Sequence, residues 1–327
     1  MTKHAVTYAL LGTLALAPLG VRSQEWTTPR TPWGHPDLEG LWTNATLTPF
    51  QRPTELGMKA FYEPDEVATV EQERRAQTNA DRALPPGQVG SYNDFFFERG
   101  SGIVTTRRTS LIIDPPDGRI PALTAEAQGK VDARTEYAAL HPADTAADRW
   151  LTERCVLFGG AVPMFPEPYN NNYQIVQTPD HVTILVELNH ETRVIPMDGR
   201  PPLPAEMQQW IGDSRGRFEG DTLVVETQNL KFNEQSRFGV QYLNGISDEN
   251  LRVVERFTRT DADTILYQAT IEDPTVFTQA WTVEIPLKRA PGPIFEVACH
   301  EGNYGLGFIL SGHRAEERAA ADAARGQ

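Results

Sequence analysis

Beyond its N-terminus the sequence has no long apolar run. A helix that crosses a membrane needs about 18–20 consecutive apolar residues, and no stretch after residue 23 approaches that length. Residues 1–23 have a short basic start and an apolar segment interrupted by Gly12, Pro18 and Gly20. This pattern is typical of a cleavable secretory signal, with an uncleaved N-terminal tether as the alternative. We therefore expect a periplasmic or secreted protein that is not inserted in a membrane after signal cleavage.

Basic residues are scarce relative to acidic ones. The chain has 30 Lys and Arg against 44 Asp and Glu, which gives a formal net charge of −14. Removal of Lys3 and Arg22 with the signal would lower this charge to −16. Such a surface repels phosphate backbones and anionic lipid. We therefore expect neither nucleic acid nor a membrane surface as a partner.

Two kinds of cofactor motif and any regular repeat are missing as well. The sequence has no nucleotide-binding motif and no HExxH zinc motif, and it shows no tandem repeat of fixed period. The first two absences favour chemistry without a cofactor, and the third argues against a propeller.

The two cysteines, Cys155 and Cys299, are the only ones in the chain. In an oxidising compartment an even pair favours a disulfide, and two buried free thiols are the alternative. A bridge would hold the segment after Arg154 beside the C-terminal part of the chain.

The first half of the chain mixes irregular and helical patterns. Residues 24–92 predict an irregular segment wrapped over a core, with one helix at 67–82 that begins behind acidic residues. Residues 94–97 and 105–113 are rich in aromatic and β-branched side chains, which favours strands. Two helical stretches, 125–140 and 143–156, then predict a helical insert.

From residue 173 onward the pattern is typical of short antiparallel strands separated by turn sequences. We therefore expect a mainly β fold over residues 93–312, either an antiparallel, lipocalin-like β-barrel or a sandwich. Residues 313–327 are rich in alanine and charge, and we expect a disordered tail there. The predicted strands of the second half are 173–177, 182–188, 192–197, 222–227, 251–258, 264–271, 281–287 and 295–299.

Several short motifs occur together in this part of the chain: GDSRG at 212–216, EGDTLVVET at 219–227, ERF at 255–257 and ACHEGN at 298–303. In combination they resemble a large, poorly characterised family of secreted bacterial β-rich proteins, over roughly residues 109–312. The resemblance implies a secreted, single β-rich unit and carries no activity.

The residue types most suited to chemistry are two His-Glu pairs, His190-Glu191 and His300-Glu301. If residues 182–195 form one strand with a buried face, His190 continues the apolar positions and Glu191 points outward. This parity places Arg193 on the outer face.

The same alternation divides the second pair. The apolar positions Phe295, Val297 and Cys299 continue to Glu301, which leaves His300 on the opposite face. The sequence therefore predicts that His190 and Glu301 face inward together.

Three functions fit these residues. A glutamate in an apolar cavity has a raised pKa and titrates against a nearby imidazole, which suits a cofactor-independent lyase, isomerase or hydrolase. Its substrate would be a small organic molecule or a carbohydrate. Alternatively, His190 and Glu301 bond the backbone where strands end, in a non-catalytic ligand-binding or envelope protein. The third interpretation is a metalloenzyme that uses His190, His300 and a glutamate as ligands.

Further residues are candidates for the wall of a binding pocket, although a turn, core packing or solvation is the default explanation for each of them. Ser214 is a weak candidate nucleophile, because no other serine-protease signature is present. The candidate binding residues are Tyr173, Asn172, Arg193, Asp213, Trp210 and His300.

Overall fold

Ten β-strands carry most of the regular structure in residues 26–86, 93–231 and 250–326, which this computed structural model describes. The predicted signal at 1–23 lies outside the described residues. The strands are β1 (Gly40–Thr43), β2 (Ile112–Asp114), β3 (Asn172–Gln177), β4 (His181–Val186), β5 (Thr192–Pro196), β6 (Asp213–Glu219), β7 (Thr222–Gln228), β8 (Arg252–Asp261), β9 (Thr264–Glu272) and β10 (Trp281–Arg289).

Nine of these strands form a nearly closed antiparallel barrel. Their order is β5-β4-β3-β1-β10-β9-β8-β7-β6, and β2 pairs with β10 outside this path. The two ends of the path, β5 and β6, approach closely. A Cβ on Gly216 of β6 would lie only 2.9 Å from Cγ2 of Ile195 in β5, so any larger residue would require neighbouring side chains to shift. The prediction of a mainly β, barrel-like fold is confirmed.

Alternation along the strands explains the barrel. In β9 the side chains of Ile265, Tyr267, Ala269 and Ile271 are fully buried, whereas Gln268 between them faces outward. Full burial of one large apolar side chain stabilises a fold by roughly 1.5–3 kcal/mol. Because the side-chain period of a strand is two, each strand contributes one apolar row to the interior.

A loop fills the barrel interior. Phe165 packs against Trp281 of β10, with 6.0 Å between ring centroids. The backbone of Met164 is held between Asn44, which donates to its carbonyl at 3.0 Å, and Tyr267, which accepts from its N–H at 2.9 Å. Residues 157–165 are all buried. The barrel is therefore a packed core and not an open channel.

Three α-helices of the described residues lie outside the barrel, α1 (Val67–Thr78), α2 (Ala125–Leu140) and α3 (Gly305–Arg325). The predicted helix at 67–82 is confirmed with an earlier end, and the one at 125–140 is confirmed with its bounds. Its N-cap is Thr124, whose hydroxyl accepts from Ala127 N at 3.1 Å. None of the described helices is both long and apolar enough to cross a membrane.

Two predictions about helical segments are wrong. Residues 143–156 do not form a helix, because a capping box at Thr145 starts only the single turn Ala146–Asp148, and Cys155 has a left-handed φ of 55°. The C-terminal segment is not disordered, since α3 continues to Arg325. The segment is rich in alanine, which has the highest helix propensity of the amino acids and therefore favours a helix here.

Five strand assignments also differ from the prediction. Residues 94–97 form the 3-10 turn Asp94–Phe96, and only Ile112–Asp114 of the predicted strand at 105–113 pairs with the sheet. The N-terminal segment that was predicted to be irregular supplies an internal strand, β1. This strand lies between β3 and β10, and the side chain of its Trp42 is fully buried. The strand predicted at 295–299 is absent. The other predicted strands of the second half are confirmed to within three residues, and β6 was not predicted.

Candidate functional site

A cleft of about 560 Å³ lies over the disulfide that joins Cys155 to Cys299. The predicted disulfide is thus confirmed, with 5.7 Å between the two Cα atoms. The cleft combines aromatic faces, two carboxylates and two amides. Its lining residues are Phe96, Thr152, Glu153, Phe158, Tyr169, Asn170, Val297, Cys299, Glu301, Gly302, Asn303 and Gly305.

The disulfide holds two separate segments together as the floor of the cleft. On one side are the turns around Thr152 and Glu153, and on the other is the loop that precedes α3. Asn303 fastens this contact, because its Nδ2 donates to the carbonyl of Glu153 at 3.1 Å. A disulfide removes chain entropy from the unfolded state, so the bridge helps these walls to keep their spacing.

The two carboxylates of the cleft differ in their partners. Glu153 forms a bidentate pair with Arg149, with Nε to Oε2 at 2.8 Å and Nη2 to Oε1 at 2.9 Å. Glu301 is exposed, and its carboxylate makes no hydrogen bond or ion pair with any described residue. The prediction that Glu301 faces into an apolar cavity is wrong, because residues 295–299 form no strand. Its carboxylate is free to meet a ligand.

The segment from Phe295 to Val297 is bound by side chains and not by a neighbouring strand. The N–H of Phe295 donates to Oε1 of Glu187 at 3.0 Å, and the N–H of Val297 donates to Nε2 of His190 at 3.0 Å. The other oxygen of Glu187 accepts from Nδ2 of Asn172 at 2.6 Å. Glu187 and His190 therefore form a latch that holds the C-terminal loop, and the apolar alternation of this loop never enters a sheet.

The position of His190 corrects the parity prediction. β4 ends at Val186, whose N–H donates to the carbonyl of Glu191 at 2.8 Å and closes a turn. Within this turn Asn189 and His190 have left-handed φ values of 62° and 55°. The turn resets the alternation, so His190 is exposed and Arg193 points inward. The predicted inward pair of His190 and Glu301 does not form.

Arg193 lies inside the barrel in a polar network, whereas the sequence predicted it on the outer face. Its guanidinium pairs with Glu255 of β8, with Nη2 to Oε2 at 2.6 Å. Tyr267 donates to Oε1 of Glu255 at 2.8 Å, and burial raises the pKa of its hydroxyl well above the usual value. Arg193 also donates to Ala161 O at 3.0 Å. The network thus joins β5, β8 and β9 to the loop inside the barrel.

The other predicted binding residues are scattered. Tyr173 is buried inside the barrel, where it accepts from Asn44 at 2.9 Å and burial raises the pKa of its hydroxyl. Asn172 lines a second cleft of about 350 Å³ beside the first. Asp213 pairs with Arg215, and Trp210 lies under the ammonium of Lys231 at 4.5 Å. His300 is exposed on the turn before α3.

The predicted metal ligands do not converge. Among the described residues, the group of three whose ligand atoms lie within 4.8 Å of one another consists of Asp144, His313 and Glu317. His190 and His300 are not members of it. Burial raises the pKa of Glu191, whose carboxylate accepts from Asn189 at 3.3 Å within its own turn.

The sequence contained a usable signal for some residues that the prediction missed. Glu255 alternates with Val253 and Phe257, which places a charge on the inward row of β8. Phe96 carried no such signal, because its aromatic neighbours favoured a strand. Glu187 is buried at 1% exposure, and its role depends on the distant Phe295.

Comparisons with known proteins add nothing to this geometry. A scan against models of protein families, a search of curated proteins and a search of solved structures each gave no match for this chain. The resemblance to a family of secreted β-rich proteins therefore stays a prediction. The chain itself is a mainly β protein with a nearly closed barrel and one disulfide.

Proposed function

We propose that the protein binds a small organic molecule or a carbohydrate in the cleft over the Cys155–Cys299 disulfide. The observation that carries this proposal is the composition of the cleft wall. Phe96 and Tyr169 offer aromatic faces beside Glu301 and Asn170, whose side chains form no hydrogen bond with any described residue. Polar groups left free next to apolar faces are what a ligand with hydroxyl groups and a hydrophobic face requires.

The size and charge of the cleft narrow the ligand class. A volume of about 560 Å³ lies within the usual range for small-molecule sites. The formal net charge of −14 and the free carboxylate of Glu301 disfavour anions. We therefore propose a neutral or cationic ligand, such as a sugar, a phenol or an amine.

The compartment supports the same proposal. The disulfide forms stably in oxidising surroundings, and residues 1–23 have the pattern of a secretory signal. We propose that the protein works in the periplasm or outside the cell, as a member of the secreted β-rich family that its motifs resemble.

Ligand-observed NMR tests the binding site. Saturation transfer from the protein to a panel of neutral oligosaccharides, phenols and amines identifies a ligand, and titration gives its dissociation constant. Phe96→Ala and Glu301→Gln should each weaken binding by roughly 10-fold, which corresponds to about 1.4 kcal/mol. Glu296→Gln is the matched control, because Glu296 is an exposed glutamate on the same loop that does not line the cleft. Binding that is unchanged in both cleft variants would refute this site.

A second candidate is an acid–base enzyme, and the free carboxylate of Glu301 favours it. A glutamate on the wall of a ligand cleft is suited to take or give a proton in an elimination, isomerisation or hydrolysis. His190 is less suited to be its partner, since Nε2 already accepts the N–H of Val297. The ligand found by NMR should then be converted, and Glu301→Gln should abolish conversion while binding persists. Conversion that survives in Glu301→Gln, or a ligand that is never converted, leaves only the binding function.

A further inference from the structure

A cluster of metal-ligating side chains lies outside the cleft, where α3 crosses the loop that follows α2. His313 and Glu317 are one helical turn apart on α3, and Asp144 reaches them from the loop. Nε2 of His313 lies 3.2 Å from Oδ1 of Asp144 and 3.5 Å from Oε1 of Glu317. We propose that these three residues bind a divalent transition-metal ion of the zinc class.

The two distances from His313 Nε2 to the carboxylate oxygens fit such an ion. Zinc binds imidazole nitrogen and carboxylate oxygen at about 2.0–2.2 Å, so neighbouring ligands of a tetrahedral site lie roughly 3.3–3.6 Å apart. The two distances from His313 Nε2 are close to this separation. Residues at i and i+4 face the same side of a helix, so α3 presents both of its ligands to one point.

A second layer of contacts orients the loop ligand. Oδ2 of Asp144, the oxygen that faces away from His313, lies 2.7 Å from Nδ1 of His141. The His141 ring stacks on Tyr137 of α2, with 4.3 Å between centroids and an interplanar angle of 25°. A histidine that bonds the outer oxygen of a carboxylate ligand fixes the direction of the inner oxygen. His141 is thus a positioning residue for the metal site.

The donor set also indicates the class of ion. One imidazole and two carboxylates suit zinc, cobalt, manganese or iron, and they are poor ligands for copper(I), which prefers sulfur. Three protein ligands leave a position for water. Arg314 donates to the backbone carbonyl of Asp144 and to Oε2 of Glu317 at 2.7 Å, which leaves Oε1 of Glu317 for the ion.

The site would fasten α3 to the rest of the protein. No residue of α3 is buried, so apolar packing alone holds this helix weakly. The helix begins at Gly305, which lines the cleft, directly after the loop that carries Glu301. A metal ion on His313 therefore also restrains one wall of the cleft. The metal proposal does not depend on what the cleft binds.

Cobalt titration of the tag-free protein tests the proposal. Binding at a site with nitrogen and oxygen ligands should produce visible absorption bands that saturate at one equivalent of Co²⁺, and excess Zn²⁺ should displace them. His313→Ala should weaken Co²⁺ binding by at least 100-fold. His141→Ala should weaken it by about 10–100-fold, the usual effect of losing a partner of a metal ligand. His181→Ala is the matched control, since His181 forms a surface pair with Asp180 at 3.1 Å.

Two outcomes would overturn the proposal. One is saturable Co²⁺ binding that is as tight in His313→Ala as in the wild type, and the other is the absence of saturable binding. Far-ultraviolet circular dichroism checks that each variant is folded. If His313→Ala is not, Glu317→Gln keeps the shape of the side chain and should still weaken binding. A Zn²⁺-dependent rise in thermal midpoint in the wild type and not in Glu317→Gln gives a readout independent of absorption.

Discussion

Arg193 and Glu255 form an ion pair inside the barrel, with 2.6 Å between Nη2 and Oε2 and side-chain exposures of 1% and 0%. Removing two charges from water is costly, and their attraction offsets this cost only when further hydrogen bonds complete the network. Tyr267 and the carbonyl of Ala161 supply such bonds. The pair thus contributes less to net stability than to holding the interior loop in one position.

We expect Glu255→Ala to lower the free energy of unfolding by about 3–5 kcal/mol, because it leaves the buried guanidinium of Arg193 without its counter-charge. The double variant Arg193→Met, Glu255→Leu should be less destabilised, since it buries no charge. Urea unfolding followed by tryptophan fluorescence gives both values. A double variant that is less stable than Glu255→Ala would contradict this explanation.

The latch on the C-terminal loop should depend on Glu187 more than on His190. Glu187 is buried and accepts from both Phe295 N and Asn172 Nδ2, so Glu187→Ala leaves two donors without a partner. Both bonds are partly buried, so we expect Glu187→Ala to lower the free energy of unfolding by about 1–3 kcal/mol in total. His190→Ala should cost less, because the N–H of Val297 then bonds to water. Urea unfolding of the two variants compares them, and equal losses would show that the two contacts are equivalent.

The disulfide should stabilise both the fold and the cleft. Cys155 and Cys299 are separated by 144 positions, and closing a loop of this size stabilises by about 4–5 kcal/mol in the chain-entropy model. Reduction should therefore lower the urea midpoint of the wild type and lower the affinity of the cleft for its ligand. The variant Cys155→Ser, Cys299→Ser should begin at the lower midpoint and not respond to reductant. An unchanged wild-type midpoint would contradict the prediction.

Acid should reduce the stability that the ion pairs of Glu226 contribute on the outer face of the barrel. Hydrogen bonds from Arg252 and then Arg217 hold the pKa of Glu226 below its usual value. Since the folded pKa lies below the unfolded one, this contribution is present above the unfolded pKa and is lost as pH falls through the folded pKa. Glu226→Gln should therefore be less stable than the wild type at pH 7, and the difference should shrink toward pH 3.

Thermal midpoints measured from pH 7 to pH 3 in dilute salt show the convergence. Asp65→Asn serves as a control, because Asp65 is an exposed acid outside the sheet. A constant difference between Glu226→Gln and the wild type across this range would contradict the assignment of the ion pairs.

Most predictions that depend on local pattern agreed with the structure, and the exceptions are the strands predicted at 94–97 and 295–299 and the helix predicted at 143–156. Local pattern placed seven strands of the second half and the helix α2, and an even pair of cysteines indicated the disulfide. These features are set by neighbouring residues, whose side chains point in directions fixed by the backbone period. The sequence by itself therefore determined the fold class and most of its elements.

The site was decided only by tertiary structure. Two left-handed residues, Asn189 and His190, reset the alternation between β4 and β5, which turned Arg193 inward and His190 outward. Residues 295–299 have the pattern of a strand, yet Glu187 and His190 take their N–H groups, so Glu301 lies on the wall of a cleft. A period of two reports faces only within an unbroken strand. Where a turn or a distant side chain intervenes, the face a residue occupies depends on contacts that no local pattern contains.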